Sequence, residues 1–572
     1  MSKVWKTREV DETLAAQLGR KLDLPGPLAR AVAARGYADP GSAERFLAPR
    51  LSDVGNPFDL PGAAAAVGRI WSAIGRNEPI VVYGDYDADG ITATALMVRV
   101  LSALNARVAP FLPSRMDDGY GLGEEPLRRC MARHAPRLLI TVDCGTNSAA
   151  VVRDAQASGL DVIVTDHHEP AETVAPALAL VNPRLGSGES AKLLAGVGVA
   201  FKLCHALLKA GRDAGHAAAG SVELRRHLDL VAVGTIADMV PLQGENRIFA
   251  RHGLAQLNQT GCVGLRALMD VARIGTADAY HVAFLIGPRL NAAGRLGDAE
   301  ASLSLLLTDD DGLAGRLAAQ LDRANRERQD VEAMILEEAE AQLQASFDAA
   351  RDFGLVLAGR DWHPGVVGIV ASRIANRYRR PAVVIGLDES GGGRGSCRSI
   401  EGFHLVRHLE QCAAHLVKFG GHAMAAGLEI EASAVEAFRR AFNSAAASTL
   451  AGQDLRPVQA IDAWLSLGDA EERLMEGLDR MKPFGLGNPT PVWAVRGVHV
   501  LGEPRVVGGK HLKLRVAAGA TVRDCIAFQM ADRKLPPGDL DIAFTLQRDT
   551  YQGRRSIQLN LSDFRPSPAA PG

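Results

Sequence analysis

Acidic side chains and a histidine pair follow short apolar runs at four places in the first half of the chain. The four segments are Asp85-Tyr-Asp-Ala-Asp-Gly90, Asp143-Cys-Gly-Thr-Asn147, Asp166-His167-His168 and Gly234-Thr-Ile-Ala-Asp238. Carboxylates that share one cleft repel one another unless a cation is present, and carboxylate oxygens with one or two imidazoles suit Mn²⁺ or Mg²⁺. The pattern therefore predicts a divalent-metal site. Two such ions ~3.5–4 Å apart can stabilise both the attacking and the leaving oxygen of a phosphodiester.

The elements that must position these residues alternate between strand and helix patterns from Pro79 to about Leu242. Short β-branched runs occur at residues 80–83, 138–142, 161–165 and 178–182, with helix-period segments between them. Such alternation predicts a parallel sheet covered on both faces, in which ligands bind beyond the carboxyl ends of the strands. We expect the fourth acidic segment, which follows the apolar run from Asp229, to end a strand in the same way.

The rest of the chain divides by composition into further units of an α/β protein. We predict an N-terminal lead-in (1–60), a first α/β domain (61–245), a helical connector (246–350), a second α/β domain (351–450), a small β-barrel (451–566) and a disordered tail (567–572). The connector contains a stretch at 313–347 with no proline, and with no glycine after Gly315, which predicts one or two long helices. Short alternating strands at 513–516, 542–546 and 557–561 predict the barrel.

The bulk composition excludes several classes of protein. The N-terminus has no apolar secretory segment, no apolar stretch is long enough to span a membrane, and the seven cysteines form no Cys-x-x-Cys pair. These features predict a cytoplasmic protein with free thiols. The net charge is only −2, so any binding of nucleic acid must use local patches. One patch is the segment from Arg496 to Arg555, with eleven basic and six acidic residues, an excess of five.

Each motif also has a simpler reading when it is taken alone. Asp85-x-Asp-x-Asp89-Gly90 matches the start of a calcium-binding EF-hand loop, but Leu96 stands where that loop needs glutamate. Asp143 could cap a helix, Asp166-His167-His168 could form a capped turn, and Asp238 could be structural. Their joint occurrence in one region favours the metal site.

In order and spacing, the four acidic segments resemble the DHH phosphoesterase superfamily. Further motifs resemble the RecJ exonuclease family within it, over roughly residues 60 to 565. They are Gly287-Pro-Arg-Leu-Asn-Ala-Ala-Gly-Arg-Leu296, Trp362-His-Pro-Gly-Val-Val-Gly-Ile-Val-Ala-Ser-Arg373, Gly395-Ser-Cys-Arg-Ser399 and Phe419-Gly-Gly-His-Ala-Met-Ala-Ala-Gly427. Cys397 stands where the family often has alanine. The resemblance implies that the two α/β domains are the DHH and DHH-associated domains and that the barrel is an OB-fold.

The resemblance also implies roles for individual residues. The implied metal ligands are Asp87, Asp89, Asp143, His167 and Asp238, with Asp143 as a bridge and Asp85 as a further candidate. These residues except Asp85, together with His168, form the implied catalytic set, in which His168 either contacts the scissile phosphate or orients a ligand. Arg289, Arg373, Ser396, Arg398 and His422 align with substrate-contacting positions.

The residues around these positions add three expectations of their own. The glycine-rich segment 391–396 predicts a flexible, donor-rich stretch whose backbone can approach a phosphate, with Arg398 available for bidentate contact; a plain glycine-rich hairpin is the alternative. Arg373, Arg377 and Arg380 predict a basic face on one helix. Arg115, which follows a predicted strand at 108–112, is a candidate for binding a 5′-terminal phosphate.

The resemblance implies an enzyme that degrades single-stranded DNA from its 5′ end to mononucleotides, with two Mn²⁺ or Mg²⁺ ions, in recombination and repair. It implies a monomer whose partners include single-strand-binding protein and a helicase. Three alternatives stay open at this point. They are a DHH-type phosphatase or nanoRNase for short oligonucleotides or cyclic dinucleotides, a non-catalytic DNA-binding scaffold, and a metal-dependent fold with a new substrate.

Overall fold

The computed structural model describes residues 3–114, 121–186, 188–296, 299–549 and 556–568. The strands in these ranges are β1 (Val4–Thr7), β2 (Ile80–Gly84), β3 (Val108–Phe111), β4 (Leu138–Val142), β5 (Asp161–Thr165), β6 (Ala179–Val181), β7 (Leu355–Arg360), β8 (Ala382–Leu387), β9 (Gly392–Arg398), β10 (Lys418–Gly421), β11 (Ala425–Glu431), β12 (Val458–Ile461), β13 (Ala463–Trp464), β14 (Trp493–Val507), β15 (His511–Ala518), β16 (Thr521–Ala527), β17 (Leu540–Asp549) and β18 (Ser556–Pro566).

Helices lie between and around these strands. They are α1 (Glu12–Leu22), α2 (Gly26–Ala33), α3 (Pro40–Leu47), α4 (Ala63–Gly75), α5 (Ala88–Ala103), α6 (Glu124–His134), α7 (Ala149–Ala157), α8 (Gly196–Asp213), α9 (Ala217–Ser221), α10 (Leu228–Ala237), α11 (Gly244–Leu257), α12 (Val263–Val271), α13 (Ala279–His281), α14 (Gly287–Leu296), α15 (Glu300–Leu307), α16 (Asp311–Ser346), α17 (Val367–Tyr378), α18 (Leu405–Glu410), α19 (Val435–Leu450) and α20 (Glu472–Met481). A π-helical segment, Val282–Ile286, joins α13 to α14.

The first sheet is parallel throughout and has the strand order β3-β2-β4-β5-β6. Its central strands β2 and β4 are buried along their whole length, because helices cover both faces. The prediction of a doubly covered parallel sheet is therefore confirmed. β2, β4 and β5 are neighbours, so their carboxyl ends meet at one edge of the sheet.

The fourth acidic segment was assigned to the wrong type of element. Residues Leu228–Ala237 form α10, and Asp238 lies at its C-terminal end. A short, continuous apolar run cannot be distinguished from a buried helix by periodicity alone. Here every residue from Leu228 to Ile236 is buried, because α10 packs against α5, α8 and α11.

We call the part of the chain around the first sheet the first lobe and the part around strands β7–β11 the second lobe. One long helix, α16, leads from the first lobe to the second, as the sequence predicted. The second sheet has the order β10-β11-β9-β8-β7, in which only β7 and β8 are parallel. The glycine-rich segment matches the hairpin alternative, since Gly392–Arg398 is strand β9, antiparallel to the preceding β8 and also paired with β11. Its glycines bring the strand close to neighbouring side chains; a Cβ on Gly395 would lie 2.8 Å from Leu428 Cδ1.

The C-terminal region is a closed barrel of five strands in the order β14-β15-β16-β18-β17, closed by pairing of β17 with β14. The barrel shares a hydrophobic core with the first helices of the chain, where Leu18, Leu28 and Phe46 belong to the same cluster as Trp493 and Phe544. β1 also pairs with β12. Residues 4–47 thus pack on the barrel, a contact that composition did not reveal, whereas Leu51, Val54, Phe58 and Leu60 pack on the core of the first domain.

The described part of the chain contains no helix that is both long enough and apolar enough to cross a membrane. The seven cysteines are free thiols. The predicted disordered tail falls mainly on residues 569–572, which lie outside the described residues.

Candidate metal centre

The first sheet and its covering helices bring the predicted acidic residues and histidines to one place. Asp85 follows β2, Asp143 follows β4, and Asp166, His167 and His168 follow β5. Asp238 reaches the same place from the end of α10, which packs on α5. Segments that are far apart in the sequence therefore meet at the strand ends.

Three groups of side chains present ligand atoms that lie within 4.8 Å of one another. The groups are Asp85 with Asp87 and Asp143, Asp89 with His167 and Asp238, and Asp143 with His167 and His168. Asp143 and His167 each belong to two groups. Asp143 thus belongs to the first group and, through its 3.1 Å approach to His167 Nε2, lies beside the second.

His167 lies at the centre of this cluster. Its Nε2 atom is 3.1 Å from Asp143 Oδ1, 3.8 Å from Asp238 Oδ2 and 3.9 Å from Asp89 Oδ2. The main-chain oxygen of His167 accepts a hydrogen bond from Arg184 Nε at 2.7 Å, which helps to fix the segment that carries the ring.

Main-chain N–H groups fix two of the carboxylates. Asp87 caps α5, and its Oδ1 accepts hydrogen bonds from the main-chain nitrogens of Asp89 and Gly90. Asp89 accepts hydrogen bonds from the nitrogens of Gly196 (2.6 Å) and Val197 (2.8 Å) at the start of α8. A helix N-terminus stabilises a carboxylate, so α8 helps to keep Asp89 ionised and oriented.

Asp143 needs both an unusual backbone and a glycine neighbour. Its φ of 63° lies in the left-handed region, which aspartate tolerates better than most residues. A Cβ on Gly196 would lie 2.5 Å from Asp143 Oδ1, so only glycine fits there. Strain of this kind is concentrated at functional sites.

Asp166 is occupied with holding the histidine pair. Its Oδ1 accepts hydrogen bonds from the nitrogens of His167 and His168 and lies 2.8 Å from His168 Nδ1, while Oδ2 accepts one from Thr146 N. Burial opposes protonation of His168, but the hydrogen bond and charge of Asp166 outweigh burial, and the pKa of His168 is raised. The same hydrogen bonds lower the pKa of Asp166 despite its burial.

Burial and mutual repulsion make it unfavourable for all of these carboxylates to be ionised at once without a bound cation. Desolvation, and then repulsion from neighbouring aspartates, raises the pKa of Asp143 and of Asp238 well above the usual range, and raises that of Asp89 to about 7. Burial lowers the pKa of His167 to about 3, so its ring is neutral and can act as a ligand.

Three buried ligand atoms support the fit to a metal. Within the described residues, Asp143 Oδ1, His167 Nε2 and Asp238 Oδ2 have no hydrogen-bond partner. Buried polar atoms are nearly always satisfied, so atoms without partners in a cluster of this composition fit the coordination of a cation. Carboxylates with one imidazole suit Mn²⁺ or Mg²⁺.

Two predicted substrate-contacting arginines are paired with the connecting helix α16. Arg289 Nη2 lies 2.8 Å from Asp322, and Arg373 pairs with the buried Glu332. Arg377 also pairs with α16, through Glu340. Arg380 does not share their helical face, since α17 ends at Tyr378 and the Arg380 guanidinium donates to main-chain oxygens.

The other predicted substrate residues lie together in the second lobe. Arg398 Nη1 donates to Ser396 Oγ at 3.0 Å, and a Cβ on Gly368, at the start of α17, would lie 2.9 Å from that oxygen. Arg398 pairs in register with Ala425 of β11. The exposed His422 lies in the turn that leads into β11. Arg115 lies outside the described residues.

Comparisons with known proteins agree with this geometry. Residues 79–235 match the DHH family N-terminal domain, residues 352–448 match the DHHA1 domain and residues 461–563 match the RecJ OB domain. The single-stranded-DNA-specific exonuclease RecJ of Escherichia coli is 37% identical over 98% of this chain and 99% of its own length. The chain belongs to the RecJ family. The RecJ of Bacillus subtilis is 37% identical over 98% of this chain and 70% of that protein.

A solved RecJ structure has the same fold. RecJ from Thermus thermophilus in complex with Mn²⁺ superposes with a TM-score of 0.85 at 33% identity, covering 99% of this chain and 80% of that one. A second structure of that enzyme is a complex with Mg²⁺. The confirmed fold is thus that of RecJ, with DHH, DHHA1 and OB domains.

Several positioning residues of this RecJ-family chain were not identified from the sequence. Gly196 makes room for Asp143, Thr146 binds Asp166, and Arg184 binds the main chain of His167. Asn182 donates to the main-chain oxygen of His168 at 2.9 Å. The one available signal was position, because Asn182 ends the last predicted strand of the sheet.

Proposed function

We propose that this chain is a metal-dependent exonuclease that hydrolyses single-stranded DNA from the 5′ end to mononucleotides. The observation that carries the proposal is the cluster of buried carboxylates and a neutral histidine around ligand atoms without partners. The chain matches relatives named single-stranded-DNA-specific exonucleases over nearly its full length, which supports the substrate class.

Six residues are proposed to bind two ions. Asp85, Asp87 and Asp143 would hold one ion, and Asp89, His167 and Asp238 the other, with Asp143 between them. When bound, Mn²⁺ or Mg²⁺ supplies Lewis acidity that stabilises charge on the phosphoryl oxygens. His168, held by Asp166, is proposed to donate a hydrogen bond to an oxygen of the scissile phosphate.

The second lobe is proposed to bind the DNA backbone. Arg398 and Ser396 offer hydrogen-bond donors beside the start of α17, where the helix dipole favours an anion. Arg289, Arg373 and His422 are also proposed to contact the single-stranded DNA. Arg115 keeps its proposed contact with the 5′ phosphate.

An exposed aromatic groove is the proposed basis of single-strand selectivity. A cavity of about 670 Å³ begins at Met239, next to Asp238, and contains Tyr280 and Phe284, whose rings lie 4.9 Å apart. Met239, Tyr280 and Phe284 are each more than 60% exposed. Bases stack on exposed rings only when they are unpaired, and each stack contributes roughly 1–3 kcal/mol.

Substrates with missing bases test the groove. Replacing both Tyr280 and Phe284 by alanine should raise KM about 10-fold on ordinary single strands, whereas the paired Tyr280→Phe and Phe284→Tyr changes, which keep both rings, should leave KM unchanged. On a strand with abasic sites near the 5′ end, the wild-type and alanine enzymes should have similar KM. If the alanine changes weakened both substrates equally, the groove would not bind bases.

A labelled-strand assay tests the function itself. We expect Mn²⁺-dependent release of 5′-labelled mononucleotide from a long single strand, and little release from a duplex or from a blocked 5′ end. Hydrolysis of only di- to tetranucleotides would instead favour the alternative DHH-type phosphatase or nanoRNase. Turnover that starts from the 3′ end would contradict the polarity.

The proposed domain limits and biological setting follow from the same assignment. The limits are 61–245 for the DHH domain, 246–350 for the connector, 351–450 for the DHH-associated domain and 451–566 for the OB-fold, and the three matched profiles support them. We propose a cytoplasmic monomer that acts in recombination and repair with single-strand-binding protein and a helicase.

A further inference from the structure

The loop that carries the proposed ligands Asp85, Asp87 and Asp89 is contacted by a residue from outside the acidic motifs. Asn291, in α14, accepts a hydrogen bond through Oδ1 from the main-chain nitrogen of Ala88 at 2.7 Å. Ala88 lies between the proposed ligands Asp87 and Asp89 and is the first residue of α5. The first N–H groups of a helix have no partners within the helix, so Asn291 satisfies one that the Asp87 cap does not reach.

A glycine lets α14 pack closely against the same loop. A Cβ on Gly294, one turn after Asn291, would lie 3.0 Å from the main-chain oxygen of Tyr86. The helix also contacts the connector, where Arg289 pairs with Asp322, and the second lobe, where Arg295 Nη1 donates to Gly365 O at 3.1 Å. α14 is therefore anchored on several sides while it holds the loop.

The amide is the appropriate group for this task. Several carboxylates already lie close together in this cluster. An amide oxygen accepts the hydrogen bond of Ala88 without adding another negative charge. A hydrophobic side chain would leave the N–H of Ala88 without this acceptor, and the loop could shift.

We propose that Asn291 is a positioning residue that sets the spacing of the Asp87 and Asp89 carboxylates for metal binding. The inference rests on the proposed metal centre. Residues that orient metal ligands typically change metal affinity by about 10–100-fold when they are replaced. The hydrogen bond of Asn291 reaches the loop through its backbone, so the residue itself does not touch metal or substrate in this role.

Mn²⁺ affinity of the full-length protein, measured by electron paramagnetic resonance without DNA, tests the role. We expect Asn291→Ala to weaken Mn²⁺ binding by about 10-fold. Asn291→Asp keeps the acceptor oxygen and should bind Mn²⁺ within about 3-fold of the wild type or more tightly, since an added negative charge attracts cations.

Asn258 provides a matched control. Its Oδ1 accepts a hydrogen bond from the main-chain nitrogen of Ala277 at 2.6 Å, outside the acidic cluster. Asn258→Ala should lower the melting temperature of the metal-free protein about as much as Asn291→Ala does, but should leave Mn²⁺ affinity unchanged. A purely structural role for Asn291 would give the two alanine variants the same Mn²⁺ affinity.

Three results would overturn the inference. They are wild-type Mn²⁺ affinity in Asn291→Ala, equal weakening in Asn258→Ala, and an Asn291→Asp variant as weak as the alanine variant. If Asn291→Ala did not fold, Asn291→Asp would still test the proposal. The proposal predicts that this variant retains its Mn²⁺ affinity, so a loss of affinity would contradict it. A wild-type chain that bound no Mn²⁺ would instead overturn the metal centre itself, and the Asn291 role with it.

Discussion

Two regions of the molecule differ in whether their polar groups have partners within the folded protein. One is the pocket around His167, and the other is the set of arginines in the second half of the chain. In the pocket, buried oxygens of Asp143 and Asp238 have no hydrogen-bond partner among the described residues. In contrast, Arg289 and Arg373 are paired with Asp322 and Glu332. Bound cations would therefore stabilise the pocket, whereas the two arginines, which are proposed to contact DNA, already have ion-pair partners.

The largest effect should follow from removing the shared carboxylate. We expect Asp143→Ala to reduce nuclease activity by at least about 100-fold, measured by nucleotide release from a single strand with saturating Mn²⁺. Asp309→Ala, which removes an exposed carboxylate that pairs with Arg99, should keep full activity. A normal rate for Asp143→Ala would contradict the assignment of the pocket.

The pocket should also respond to metal in its stability. Mn²⁺ at about 100 times its Kd should stabilise the wild type by about 2.7 kcal/mol, which thermal unfolding would detect as a higher Tm. Without metal, Asp143→Asn should be more stable than the wild type, because the amide removes one of several mutually repelling carboxylates. A metal-free Asp143→Asn protein with a lower Tm would show that repulsion is not what limits stability there.

Replacing Arg398 in the second lobe should weaken substrate binding without changing metal binding. Arg398→Ala should raise KM about 10-fold while Mn²⁺ affinity is unchanged, since charged hydrogen bonds contribute roughly 1.5–3 kcal/mol. Arg398→Lys should recover only part of the loss because lysine lacks the planar fork. Arg456→Ala, which removes an exposed arginine paired with Asp454, serves as the control.

Replacing an ion-paired arginine should also lower the stability of the protein. Arg373→Ala removes one partner of the buried Glu332, but Arg373 is itself 58% exposed and Arg328 still pairs with Glu332. We therefore expect a loss of only about 1 kcal/mol in the free energy of unfolding, measured with urea. An unchanged stability would mean that the pair does not hold Arg373 in solution.

The smallest effect is predicted for the barrel. Arg505 and Lys513 face each other across β14 and β15, and changing both to alanine should lower the salt dependence of DNA affinity by up to about 1.4 in log–log slope, at roughly 0.7 per phosphate contact. Point changes are needed because helices α1–α3 share the core of the barrel. An unchanged slope would exclude these two residues from the DNA interface.

The position of the pocket could be predicted from the sequence because several of its residues follow strands with clear β-branched patterns. Asp85, Asp143 and His167 could be placed together from the geometry of a parallel sheet alone. Asp238 lies in the cluster, as expected, but its segment was wrongly assigned to a strand, since its helix is apolar on every side. The partner Gly196 could not be found, because contacts between distant segments leave no local pattern, and Asn182 was marked only by its position at the end of a predicted strand.

The substrate side was less predictable for a related reason. The glycines of β9 suggested a flexible segment, yet they allow close packing against Leu428 and Ile385. Ion pairs such as Arg373 with Glu332 join positions on two different helices and depend on how α16 packs against α17. The core shared by the N-terminal helices and the barrel likewise joins the two ends of the chain, which composition cannot show.

Anomalous scattering at the manganese edge, from crystals of the wild-type protein grown with Mn²⁺, would test the central claim directly. The predicted result is two peaks, one among Asp85, Asp87 and Asp143 and the other among Asp89, His167 and Asp238, with Asp143 between them. Peaks elsewhere, or an ordered pocket without manganese, would contradict it.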